Sequence, residues 1–95
     1  MYARVTSFQI DPDRLAELPE KVKKIQPAAK GLPGVVDIYL AWRTDGQGVI
    51  TAIYRSKADA DAAVARMQAI WGTLAGLLTA APRTDIYESV EHVAG

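Results

Sequence analysis

Cysteine is absent from this 95-residue chain, so neither a disulfide nor a thiolate-bound metal can contribute to its stability. Histidine occurs once, at His92, and leaves no imidazole cluster for a metal site. Net charge is absent too. Eleven basic and eleven acidic residues cancel, which argues against a nucleic-acid or anionic-membrane surface. There is no long hydrophobic run. The longest uncharged stretch, Met67 to Pro82, contains Gln68, two Thr and two Gly, and is too short and too polar to span a bilayer. Met1-Tyr2-Ala3-Arg4 enters an alternating pattern directly and lacks the layout of a signal peptide, so a cytoplasmic protein is expected. A Gly-rich phosphate loop, a nucleophile elbow and a dinucleotide fingerprint are all missing. So are repeats, low-complexity runs and linkers, which predicts a single domain over residues 1–95.

What the chain does have is an ordered series of hydrophobic periods. Tyr2 to Ile10 alternates as a strand. Asp11-Pro12 supplies an N-cap and a proline at the first helical position. Leu15, Leu18, Val22 and Ile25 then recur at three- and four-residue steps, and Pro19 and Pro27 predict a kinked or two-piece first helix. Gly31-Leu32-Pro33-Gly34 ends it, with Gly31 suited to a left-handed cap. Val35 to Arg43 and Gly48 to Arg55 read as strands joined around Asp45-Gly46. Ser56 with Asp59 caps a second helix, whose expected core stripe is Ala60, Val64, Met67, Trp71, Leu74 and Leu78. Pro82 stops that helix, and Thr84 to Val93 is the expected last strand. The order βαββαβ is the ferredoxin-like α+β pattern, a four-stranded antiparallel sheet with two helices on one face.

Residues two apart on a strand share a face. On the second strand Val36, Ile38, Leu40 and Trp42 form one face, against Val35, Tyr39 and Ala41 with Asp37 and Arg43 on the other. On the third, Ile50, Ala52 and Tyr54 oppose Val49, Thr51 and Ile53. Both faces carry large apolar groups, and two helices cover one. An uncovered apolar face normally marks an interface, and a two-fold homodimer with its sheets face to face satisfies both copies at once. Which face meets the helices is not fixed by the pattern. The second helix also carries Ala58, Ala62, Ala65, Ala69, Gly72 and Gly76 opposite its core stripe. Alanine is the best exposed helix former, but the two glycines invite a second reading, a contact surface for another backbone.

Ala3-Arg4-Val5-Thr6, Phe8-Gln9, Asp11-Pro12-Asp13-Arg14-Leu15, the mid-helix Pro27, Leu32-Pro33-Gly34 and the hairpin running into Tyr54-Arg55-Ser56 resemble the antibiotic biosynthesis monooxygenase-like proteins of the dimeric α+β barrel superfamily. The resemblance covers nearly the whole chain in element order, and its motifs specify turns and caps rather than chemistry. It implies a homodimer whose sheets close into a shared barrel, with a cavity in each subunit between sheet and helices. Some such proteins are cofactor-free monooxygenases acting on polycyclic aromatic compounds, some degrade haem, and many have no known activity. The haem-degrading members use an Asn, a Trp and a haem-ligating His. This chain has no asparagine and its only histidine lies in the final strand, so that triad cannot be assembled.

Single residues have two readings each. His92 is the one side chain that titrates near neutrality unaided. It is either a surface or dimer-edge residue or a catalytic base, and Glu88 lies about 13 Å away along an extended strand. Trp42, Trp71, Tyr39, Tyr54 and Tyr87 are either packing residues or the lining of a pocket for a flat apolar ligand. Arg4 and Arg55 either pair across strands with Asp37, Asp85 or Glu88, or hold an anionic oxygen in a cavity. Lys21, Lys23, Lys24 and Lys30 with Glu17 and Glu20 read as the solvated face of the first helix. Asp59 and Asp61 do not face each other on a helix, and no metal site is expected.

Two functions follow. One is a cofactor-independent monooxygenase-like protein binding a small apolar aromatic compound, with catalytic candidates His92 and Arg4 and pocket candidates Trp71, Tyr54, Trp42, Tyr39 and Arg55. The other is a non-catalytic ligand-binding or assembly module of the same fold. Neither reading calls for a cofactor, a nucleic acid or a membrane.

Overall fold

The computed structural model describes all residues, 1–95, as one sheet backed by helices. The strands are β1 (Tyr2–Gln9), β2 (Val35–Trp42), β3 (Gln47–Tyr54) and β4 (Arg83–Tyr87), in the antiparallel order β2-β3-β1-β4. The helices are α1 (Leu18–Lys30), α2 (Lys57–Ala62) and α3 (Val64–Leu74). This is the expected ferredoxin-like α+β fold.

The first helix is two-piece, as its prolines require. Pro12–Glu17 forms a 3₁₀ turn whose first N–H groups are capped by Asp11, its carboxylate accepting from the Asp13 N–H at 3.0 Å. The α-helix then restarts with Pro19 in its first turn, where a missing N–H costs nothing. Pro27 stands on the solvent side one turn before the end. Gly31 does not take the left-handed cap. Its φ is −89°, and the left-handed position falls three residues later, at Gly34 with φ 59°. The Thr44-Asp45-Gly46 loop joins β2 to β3, with Gly46 at φ 88° packed against the Ile10 carbonyl. Ser56 caps α2 as expected, accepting from the Asp59 N–H at 3.2 Å and donating to its carboxylate at 3.1 Å.

Two expectations are corrected. The buried stripe of α2 and α3 is Ala60, Ala63, Met67, Ile70 and Leu74, continued by Leu77. Val64 is exposed and Trp71 and Leu78 only flank the core, because Ala63, where α2 passes into α3, packs inward in place of Val64. The last strand stops at Tyr87, level with Ala3 near the start of β1; beyond it β4 has no neighbour left to pair with, and residues 89–95 are irregular.

The even-numbered face of β1 and β3 meets the helices. Phe8, Ile10, Ile50, Leu18, Leu74 and Leu77 form one core cluster, and Tyr2, Ala52, Tyr54, Ile25, Leu32, Met67 and Ile70 dominate the other. Ile38 and Leu40 of β2 pack on the same side. Gly48 lets the Phe8 ring lie directly across β3. The opposite face has no helix on it. Its rows across β4, β1, β3 and β2 read Tyr87-Ala3-Ile53-Asp37, Asp85-Val5-Thr51-Tyr39, and Arg83-Ser7-Val49-Ala41. Tyr39 and Tyr87 are 63% and 53% exposed on it.

Two glycines separate strained from open sites. Gly46→Ala would force a side chain onto a backbone oxygen at positive φ and should lower the stability by about 2 kcal/mol or more. Gly72→Ala enters open space in the last turn of α3 and should raise it by about 0.5–1 kcal/mol. Urea titration of both variants measures the two effects. A destabilised Gly72→Ala would show that the small-residue seam is packed against another backbone.

Candidate functional site

Strand β2 is an edge strand, and α1 lies along its helix-side flank. Between them runs a groove of about 440 Å³. Its walls are built from Val22, Ile25 and Ala29 of α1 and from Val36, Ile38, Leu40 and Trp42 of β2. The shape follows from local chemistry. Ala29 places only a methyl group on the α1 wall, while Trp42 at 41% and Val36 at 44% exposure stand out from the edge. The pairing of β2 shifts between Val35 and Asp37, a bulge that turns Val35 onto the core and leaves Val36 at the groove mouth. Gln26, Lys30 and Asp37 supply the polar rim, and Tyr39 reaches it from the outer-face register.

Of the pocket candidates, Trp42 and Tyr39 meet in this groove. The others do not. Trp71 packs edge-on against Phe8, ring centroids 5.9 Å apart and planes at 66°, and serves the core. Tyr54 is fully buried on the helix side of β3. Arg55 is exposed and borders a separate, more polar cleft of about 400 Å³ with Tyr2, Ser56, Lys57 and Glu88. Arg4 sits half-buried on the helix side of β1, opposite Ala52 and Ile86. His92 is exposed in the irregular segment after β4. Neither Arg4 nor Arg55 joins any of the five ion pairs, so the expected cross-strand pairing with Asp37, Asp85 or Glu88 does not form; Asp85 pairs with Arg83 on its own strand. Sequence reasoning missed the α1 half of the groove. The available signal was Ala29 on the face of Val22 and Ile25, a gap opposite bulky strand residues.

Tyr54 carries the one buried side-chain polar atom without a partner, its hydroxyl. Burial pushes its pKa above the ordinary 10.0, and the charge of nearby Arg4 opposes that rise. A buried hydroxyl left unpaired costs about 1–3 kcal/mol. The other shifts belong to exposed surface groups: Arg14 is raised and Glu17 lowered, each chiefly by their mutual hydrogen bond, at 2.7 Å, and Asp45 is lowered chiefly by the Gln47 N–H it accepts from. No group of three His, Asp or Glu side chains stands close enough to hold a metal, and no helix is long and apolar enough to cross a membrane.

Comparison with known proteins adds the fold's relatives. No family model matches the chain, and no curated protein matches it. Solved structures do. Rv0793 from Mycobacterium tuberculosis superposes with a TM-score of 0.75 at 17% identity, covering 98% of each chain. A Caulobacter crescentus protein named provisionally as an antibiotic biosynthesis monooxygenase gives 0.79 at 17% identity over 95% of this chain and 90% of its own. A further antibiotic biosynthesis monooxygenase gives 0.77 at 12% identity over 96% and 100%. This chain has their fold. At such identities the likeness covers architecture and element order, as the turn and cap motifs anticipated, and assigns no residue a role.

Tyr54→Phe removes the unpaired hydroxyl and should leave stability unchanged or raise it by about 1 kcal/mol, read as a shift in urea midpoint. The pH dependence has a definite sign. Because the folded state holds the Tyr54 proton more tightly than the unfolded chain, ionisation favours unfolding, and stability falls as pH rises above about 10. That part of the alkaline loss should vanish in Tyr54→Phe.

Proposed function

We propose that residues 1–95 form a single homodimeric domain that binds a small apolar, ring-containing molecule in the groove between α1 and β2. The groove is the observation that carries this reading: it is a concave, largely hydrocarbon surface with an indole at one wall and only a few polar groups at its rim, the composition of small-ligand sites. The dimer is argued from the uncovered sheet face. Val5, Val49, Ile53, Tyr39 and Tyr87 stand there without a helix over them, and a second copy applied through a two-fold axis covers the same residues on both. At about 25 cal/mol per Å² of apolar surface, covering such a face contributes several kcal/mol. A cytoplasmic setting is part of the proposal.

A monooxygenase activity without cofactor is the second reading. It is favoured by the names of structural neighbours and by one local observation, the orphan Tyr54 hydroxyl beside the Arg4 charge. A phenol and a guanidinium together are suited to stabilising an enolate or phenolate that itself reacts with oxygen. Binding is preferred because the groove reaches neither Tyr54 nor Arg4, and neither Trp71 nor His92 lines it.

The binding reading is tested with N-phenyl-1-naphthylamine, a neutral fluorescent aromatic probe. Sedimentation should give a dimer at micromolar concentration, and the probe should bind with enhanced fluorescence. Trp42→Ala should weaken that binding about tenfold, a loss near 1.4 kcal/mol, in a protein whose urea midpoint is little changed. Trp71→Ala should instead lower the midpoint and leave probe affinity in the folded protein near its original value. Equal probe affinity in wild type and Trp42→Ala would remove the groove as the site.

A further inference from the structure

The groove has two unlike ends. The core clusters fix which wall residues share an end: Ala29 and Val35 pack against one cluster, Val22 and Leu40 against the other, and Ile38 touches both. Only Gly31–Gly34 separates α1 from β2, so both walls start at that turn, and Lys30 lies at the same end as Val35 and Asp37. Val22, Gln26 and Lys30 recur every four residues and form one row along the lip of α1, about 12 Å long. Facing it, β2 runs from Asp37 to Trp42, about 17 Å. The Val22–Trp42 end is hydrocarbon and indole. The end beside the turn holds Lys30 on the helix wall and Asp37 on the strand wall.

These two charges are opposite in sign and stand on facing walls. They pair neither with each other nor with any other group, since neither joins one of the five ion pairs. An acid alone at this end is drawn to Lys30 and repelled by Asp37, and a cation alone meets the reverse. A group carrying both charges is attracted by both walls, its carboxylate toward the Lys30 ammonium and its ammonium toward the Asp37 carboxylate. Gln26, one turn from Lys30 along the lip, can donate to or accept from the same group.

We propose that the groove takes an aromatic molecule with a zwitterionic ammonium–carboxylate head, the chemistry of an aromatic amino acid, with its ring toward Trp42 and its head between Lys30 and Asp37. The proposal rests on the groove being a small-molecule site, as argued above, and names the class of ligand it selects.

The two ends contribute differently. Contact of the ring with Trp42, Leu40 and Val22 supplies most of the affinity, at about 25 cal/mol per Å² of apolar surface covered. Lys30 and Asp37 are exposed, so water screens them and each charged contact changes affinity by only a few fold. They choose among ring compounds rather than hold them.

Four ligands with one ring and different heads test this: tryptophan as the zwitterion, tryptamine as the cation, indolepropionate as the anion and ethylindole as the neutral body. Each is titrated against bound N-phenyl-1-naphthylamine, whose displacement reads the affinity. Tryptophan should bind about threefold tighter than tryptamine or indolepropionate. The variants should act with opposite signs. Lys30→Gln should weaken indolepropionate and strengthen tryptamine, each about threefold, and Asp37→Asn should do the reverse. Both should weaken tryptophan and leave ethylindole unchanged, with urea midpoints close to that of the parent protein because both positions are exposed. Tryptophan no tighter than either singly charged ligand, or variant responses that fail to reverse, overturns the proposed head and leaves the groove standing. If the naphthylamine does not bind, or binds equally to Trp42→Ala, both readings fall.

Discussion

Alternation along four short strands assigns each sheet residue to one of two faces, and the helices cover only one of them. This constraint governs the rest of the molecule. Of the helix-side rows, Thr84-Thr6-Ile50-Leu40 runs from polar at β4 to apolar at β2, and Ile86-Arg4-Ala52-Ile38 is apolar except at Arg4. The two core clusters form where α1 and α3 press on β3 and β1, and each fully buried Ile or Leu there contributes about 1.5–3 kcal/mol. Thr6, the buried polar side chain of this region, is satisfied by the Thr84 hydroxyl at 2.9 Å. The outer face receives no such cover, and its tyrosines remain exposed.

The groove arises at the margin of that arrangement. An edge strand has a neighbour on one side only, so side chains of β2 lean over empty space unless a helix fills it. α1 fills it incompletely, because Ala29 is short and the proline-broken entry fixes where the helix can lie. The bulge at Val35–Asp37 then aims Val36 at the mouth. The result is an apolar surface with sparse polar groups, which suits recognition by shape and hydrocarbon contact. Tyr54 is a different case. Its hydroxyl is desolvated without a partner, a local cost carried by a well-packed cluster around the ring.

Much of the fold was legible along the chain because its signals are short-ranged. Asp11-Pro12, Asp45-Gly46 and Ser56 with Asp59 each act through atoms within a few residues, and each sits where expected. The second helix shows the limit. Alanine and valine alternate closely enough that Ala60-Val64 and Ala60-Ala63 are both acceptable apolar steps, and packing against β1 and β3 chose the smaller residue. The final strand shows another limit. Tyr87 to Val93 has adequate composition for a strand, but a strand needs a paired neighbour, and β1 ends first. For the site, Trp42 and Tyr39 were legible as aromatics on an exposed strand, whereas Gln26, Ala29 and Lys30 look like an ordinary helix end until β2 is placed beside them.

The linear pattern alone determined the βαββαβ order, the caps at Asp11 and Ser56, the Asp45-Gly46 turn and the excess of apolar strand surface, since these depend on periodicity and on contacts between near neighbours. Tertiary structure alone decided which sheet face the helices took, that Trp71 packs against Phe8 while Trp42 borders open space, and that Arg4 lies near Tyr54 without an ion pair. Those outcomes depend on which distant segments come to lie within a few ångströms of one another, and no local periodicity carries that information.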